Sequence, residues 1–184
     1  MAITMDGTSG ITTPAVQTGG VAVSLYPLVS GTSQASTSGT VIDFTSIPDW
    51  VKRVTVMFNG VSTNGTSDVI VQLGTSAGFV STGYLGATAT IAGGATGTSL
   101  MSSGFLLRLG GGAAAAAVRH GTVVLTSIGS NTWVGTISLS ISNTDYIVTG
   151  SGTIALPGTL TQIRNTTAGG VNTFDAGTIN ILYE

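Results

Sequence analysis

No cysteine occurs in the 184 residues. Disulfide staples, thiolate metal centres and cysteine nucleophiles are therefore excluded. Charge is nearly as scarce. Five Lys and Arg stand against seven Asp and Glu, 7% of the chain where about 25% is usual. With a net charge of −2 and no basic cluster, nothing is available to hold a phosphate backbone, so no nucleic-acid partner is expected. The single histidine, His120, rules out multi-histidine metal sites. No apolar run approaches the 18 or more residues of a spanning helix, so no membrane insertion is expected. The opening MAITMDGTSG lacks the basic and apolar regions of a signal peptide.

What fills the space is small and hydroxylated: 28 Gly, 31 Thr and 20 Ser, or 79 residues of the 184. Hydrophobic residues make up 42%, which with the small net charge argues against intrinsic disorder. Such a chain covers itself with hydroxyls instead of charges, and a surface of that kind favours association. A permanent assembly is the expected setting, with both chain ends docked.

Residues 1–35 differ from the rest. They hold one charge, Asp6, two prolines, Pro14 and Pro27, and repeated Gly, Thr and Ser clusters. They read as an extended arm stabilised by neighbours, with Ile11, Val16, Val21, Val23 and Leu25 as its apolar attachment residues. Beyond residue 36 the period becomes two. Val54, Val56 and Phe58 alternate with Arg53, Thr55, Met57 and Asn59, and Val69, Val71 and Leu73 with Ile70 and Gln72. Phe105, Leu107 and Leu109 alternate with Leu106 and Arg108, and Val123 and Leu125 with Thr122, Val124 and Thr126. In TWVGTISLSIS, Trp133, Ile137, Leu139 and Ile141 take one face while Thr136, Ser138, Ser140 and Ser142 take the other. Ile179, Ile181 and Tyr183 repeat the pattern at the end. Turns are expected at Asn59-Gly60, Asn64-Gly65, Gly93-Gly94, Gly150 to Gly152, Pro157-Gly158 and Gly169-Gly170. Helical patterning is almost absent; five alanines after Gly110–Gly112 suffice for about one turn. The expected fold is all-β, an antiparallel sandwich of jelly-roll type spanning 36–184, preceded by the extended arm.

Catalytic chemistry finds little support. His120 lies beside Arg119 at a strand entrance, without a nucleophile elbow, which suits a strand-end or interface histidine. The acids Asp6, Asp43, Asp49, Asp68, Asp145, Asp175 and Glu184 are spread singly, so no carboxylate pair for sugar-bond cleavage stands out. The glycine-rich stretches lack the Lys-Ser/Thr of a phosphate-binding loop. Asn64-Gly65-Thr66 and Asn165-Thr166-Thr167 match glycosylation acceptors and are expected to be polar turns. Asp68 lacks the alternating acids of a calcium loop. Trp50, flanked by Asp49, Lys52 and Arg53, suits either a stacking platform or a lid on one end of the sandwich. Neither an enzymatic activity nor a cofactor is expected.

Five segments carry a resemblance. They are Pro48–Phe58, Ser62–Ser67, Val69–Gly74, Thr82–Gly86 and the closing Thr173–Glu184, TFDAGTINILYE. Together they resemble the C-terminal domain of tailed-bacteriophage tail-fibre and related virion proteins. The resemblance implies a virion component, a β-rich domain and a homotrimer, made in the host cytoplasm and located at the tail, neck or capsid surface. Two roles follow from it. One is an appendage that docks on other virion proteins by its arm and contacts a host cell-surface glycan. The other is a capsid decoration protein or short head fibre with a purely structural role. For the first, hydroxyl, amide and aromatic groups are the candidate contacts: Trp50, Asn64, Thr66, Asp68, Tyr84 and Tyr146.

Overall fold

The computed structural model describes residues 5–6, 10–11, 16–18, 21–23, 28–93, 95–109, 115 and 117–184. In chain order, Met5–Asp6 (β1) pairs with Gly10–Ile11 (β2), and Val16–Thr18 (β3) with Val21–Val23 (β4). Val29–Ser30 (β5), Gln34–Ala35 (β6) and Val41–Phe44 (β7) follow, then Arg53–Thr63 (β8), Val69–Thr75 (β9) and Gly78–Phe79 (β10). Leu85–Ala92 (β11), Ala95–Leu100 (β12) and Phe105–Leu107 (β13) come next. The second half carries Arg119–Gly129 (β14), Thr132–Ile141 (β15), Tyr146–Ala155 (β16), Gln162–Thr167 (β17) and Phe174–Tyr183 (β18).

Every strand pairing is antiparallel, and no helix occurs among the described residues. The large sheet runs β12-β11-β16-β15-β14-β8-β18, with β5 and β6 sharing the outer edge of β18. The small sheet runs β10-β9-β17-β7, with β13 also on β9. The expected all-β antiparallel sandwich is what forms. Of the arm residues, Ile11, Val16, Val21 and Val23 lie in the first two strand pairs, and Leu25 lies outside the described residues. The large sheet also takes in the end of the 1–35 segment. Besides the β5 and β6 pairings, Gly31 N–H donates to Ile181 O and Ser36 N–H to Gly177 O.

Alternation decides which side chains meet. Val54, Val56 and Phe58 of β8, Val123 and Leu125 of β14, and Ile137, Leu139 and Ile141 of β15 are buried, with Ile179 and Ile181 of β18. They face Ile42, Phe44, Val69, Val71, Leu73, Phe105, Leu107 and Ile163 of the small sheet in one continuous core. The closest fit is at Gly135 of β15, where an added Cβ would fall 2.4 Å from the Phe105 ring. A side chain there would push the sheets apart. Tyr84 stacks edge-on against the same ring, with centroids 5.3 Å apart.

Two turn expectations fail for a shared reason. Asn59-Gly60 lies inside β8, and Gly150 to Gly152 lie inside β16. In these places glycine serves close backbone approach instead of chain reversal. Gly60 (φ 69°) faces Gly177 (φ 91°) across an irregular stretch of the β8–β18 ladder, where a Cβ on Gly177 would meet the Gly60 carbonyl at 2.4 Å. Gly150 and Gly152 bring β16 against β11, within 2.7 Å of the Ala87 and Leu85 carbonyl oxygens for a built Cβ. Asn165-Thr166-Thr167 is not a turn either. It lies in β17 with Asn165 fully buried, so no glycan reaches it. The alanine run falls largely outside the described residues.

Because Ile179 is a core residue of the closing strand, Ile179→Ala should lower unfolding free energy by about 2–5 kcal/mol. The exposed Val171→Ala should change it by less than about 0.5 kcal/mol. Urea denaturation of both variants checks this; equal effects would remove β18 from the core.

Candidate functional site

The six candidate contact residues do not converge. Trp50 precedes β8 and the Asn64, Thr66 and Asp68 turn follows it, so the two groups lie at opposite ends of a strand about 35 Å long. Trp50 is half-buried, packed on the core and tilted against Tyr183 with centroids 5.9 Å apart. It forms part of a lid. Tyr146 is also half-buried against the core. Tyr84 is a correction: only 2% exposed, it is a core side chain and presents no surface to a receptor.

The 64–68 turn is held rigidly by its neighbours. Asn64 N–H donates to Thr173 O at 3.0 Å, and Thr173 N–H returns a bond to Asn64 Oδ1 at 2.9 Å. Ser67 N–H donates to Asn172 Oδ1 at 3.0 Å. Asp68 Oδ1 accepts the Leu109 N–H at 3.0 Å. Burial pushes the Asp68 carboxyl up, against the pull of that N–H and of the Arg108 and Arg119 charges. Thr66 remains exposed at the tip. Of this group, Asn64 and Asp68 spend side-chain oxygens on the fold.

His120 lies in β14, with Nε2 3.1 Å from Ser142 Oγ. Its neighbour Arg119 is 1% exposed and the largest fully buried side chain among the described residues. Its Nη1 donates to Ala117 O at 3.1 Å, while Nε and Nη2 have no hydrogen-bond partner there. Burial lowers this guanidinium to about 10, against the pull of Asp68 and Asp175. No cluster of three or more His, Cys, Asp or Glu able to hold a metal occurs among the described residues.

One concave feature is not singled out by composition or motifs. A cleft of about 410 Å3 lies on the outer side of the small sheet, lined by Val41, Ile70, Gln72, Ser81, Ser103, Arg164 and Thr166. Strand alternation places Gln72 and Arg164 there, since Leu73 and Ile163 beside them point into the core. Arg164 is held on both sides. Nε and Nη2 donate to Asp43 Oδ1 and Oδ2 at 2.8 and 2.7 Å, and the guanidinium lies 4.0 Å over the Phe79 ring. The Asp43 hydrogen bonds keep its proton more firmly than usual. Gln72 Nε2 donates to Ser103 O at 2.8 Å, and Thr166 Oγ1 to Thr40 O at 2.8 Å. The cleft is therefore preorganised and close to neutral, because its one cation is neutralised by a bidentate carboxylate. A second groove of about 360 Å3 runs between β7 and the β5–β6 edge, past Gln34, Asp43 and Tyr183. The available sequence signal was Arg164 and Asp43, two rare charges on strands, Asp43 between Ile42 and Phe44 and Arg164 after Ile163.

Comparison with known proteins gives no relative: no protein-family model, no curated protein and no solved structure matches the chain.

The buried phenol makes stability pH-dependent in a defined direction. Tyr84 donates to Val80 O at 3.1 Å and accepts the Leu73 N–H at 2.8 Å. Burial raises it to about 12, against the Leu73 bond. Between pH 10 and 12 the unfolded chain loses this proton first, so stability falls as pH rises. Arg119 acts oppositely, because the folded chain loses its proton first above about 10. Tyr84→Phe should be less stable than wild type at about pH 8 by about 1–3 kcal/mol, since Leu73 N–H loses its acceptor. The gap should narrow by about pH 11.5, as read from urea midpoints. A constant gap would show that Tyr84 does not titrate as buried.

Proposed function

We propose that the chain is a non-catalytic structural and binding protein of a bacteriophage particle. In this reading it is a homotrimeric tail-fibre-like or neck appendage that docks on other virion proteins through residues 1–35. Its β-sandwich meets a host cell-surface glycan through neutral hydrogen bonding. The observation that carries the reading is the neutral, prebuilt cleft around Gln72, Arg164 and Thr166. Amide, hydroxyl and guanidinium groups held in fixed positions suit the hydroxyls of a sugar, and the Asp43–Arg164 fork leaves little net charge for a phosphate. The virion setting is supported by the five motif segments and by the scarcity of charge, which fits a chain held in an assembly.

The decoration role draws on a different observation. The 64–68 turn, the polar loop nearest in character to a contact loop, is bonded to 172–173 and Leu109 in a way that serves stiffness. Labelling intact particles with an antibody to this chain separates the two: signal at the tail or neck supports the appendage, and signal over the whole head supports decoration.

Binding itself has a sharp signature. A multivalent display of the protein should hold host cells at roughly half-molar salt, where charge steering is screened within about 4–5 Å. Ser81→Trp, an exposed substitution at the cleft wall, should weaken that binding by about ten-fold or more while leaving the melting temperature unchanged. Absence of binding by the multivalent display would end the adhesion reading. Undiminished binding by Ser81→Trp would move the contact away from the cleft.

A further inference from the structure

The registers of the large sheet bring its outward side chains into rows across six strands, β11, β16, β15, β14, β8 and β18. One row reads Ile91, Ile147, Ser140, His120, Asn59 and Thr178, and the next two continue it through Ser138 and Thr122. These three rows hold 18 positions and no Asp, Glu, Lys or Arg. Charge enters only in the fourth, at Arg53 and the Glu184 paired with it. Four of the eight exposed large apolar side chains among the described residues belong to the same end of the sheet: Leu100 (82% exposed), Leu85 (70%), Ile147 (53%) and Ile91 (51%). Ile91 and Ile147 are direct cross-strand partners, and Leu100 stands opposite Ala87, two residues from Leu85.

We propose that this charge-free face is the surface on which copies of this chain pack against one another. Its size supports a second copy as the occupant. Six strands spaced about 4.8 Å apart and three charge-free rows about 6.8 Å apart cover about 590 Å2, and β12 extends the rows through Thr96, Thr98 and Leu100. That is of the order of the ~800 Å2 that each partner contributes to a stable protein interface. Its chemistry supports the same occupant. Ser and Thr hydroxyls both donate and accept, so an identical face offers partners in any register, and no like charges oppose each other. The alternative route to self-association, pairing at the free edge of β12, is obstructed. Arg108 Nη1 donates to Thr98 O at 2.6 Å and contacts Ser99 Oγ, capping that edge with a charge. Three copies with this face turned to a common axis would bury it entirely. The face thus completes the homotrimer proposed above and rests on it.

The test is light scattering of the full chain with and without charge on the face. Wild type should weigh three times 18.2 kDa, and Ser138→Lys/Ile147→Lys should weigh 18.2 kDa with an unchanged β-sheet circular dichroism signal. Ala77→Lys, in the exposed turn between β9 and β10, should keep the wild-type mass. A monomeric wild type overturns both the trimer and this face. A folded double variant that keeps the wild-type mass overturns the face alone and leaves the trimer standing. Should the lysines prevent folding, the absence of cysteine supplies a second route: Ser138→Cys should react with a maleimide about ten-fold more slowly than Ala77→Cys in native protein. Equal rates would overturn the face.

Discussion

Because β18 inserts between β8 and the β5–β6 edge, the backbone hydrogen bonds of both ends of the sandwich meet on one strand. That ladder fixes much else. The inward residues of β18, Ile179 and Ile181, stand beside Phe58 and Val56 and close the core at this side. Glu184 extends the pairing past the last strand residue, accepting from the N–H groups of Lys52 and Arg53 and donating to Arg53 O. Its side chain also contacts that of Arg53. Trp50 and Tyr183 seal the same end. At Gly177 the strands approach so closely that a Cβ would meet the Gly60 carbonyl at 2.4 Å, and Gly60 itself holds a positive φ of 69°. A strand with a core face and two occupied edges has no cheap way to fray.

Sequence alternation made the large sheet legible. Strands β8, β14, β15 and β18 each carry one buried face and one more exposed face, rich in hydroxyls on β15, and period two is unambiguous for such strands. The small sheet was less so. β9 is buried at every position from Val69 to Thr75, because its outward residues Ile70 and Gln72 lie in the cleft beneath Ser103 and Ser81, so alternation carries no information about exposure there. Glycine was read too simply. Dipeptides such as Asn59-Gly60 signal reversal only when the flanking runs pair with each other, and here they form one strand paired on both sides. The hairpin tip at Ser130 and Asn131 has positive φ at both central residues although neither is a glycine.

The candidate site was legible only in its chemistry. Hydroxyl and amide contacts were expected, but the residues named for them were chosen for side-chain type along the sequence. Aromatic residues in a chain with so few of them are needed by the core, as Tyr84 shows with its two internal hydrogen bonds. Convergence of Gln72, Arg164 and Asp43 depends on β17 lying between β9 and β7, a non-local order that no local pattern encodes.

The distribution of charge links these observations. Of five basic residues, Arg119 is buried, Arg108 caps the β12 edge, Arg164 is forked to Asp43 and Arg53 is paired with Glu184. Four of the five thus serve the fold. The broad outer face of the large sheet is left neutral, and the cleft on the small sheet is neutralised from within. A surface built this way cannot gather partners by long-range steering, so its encounters must be won by shape and hydrogen-bond geometry at contact. Single contacts of that kind are weak. On the proposed reading, joining several copies through one neutral face, with the cleft on the opposite face of each sandwich, would overcome that weakness by presenting the clefts together.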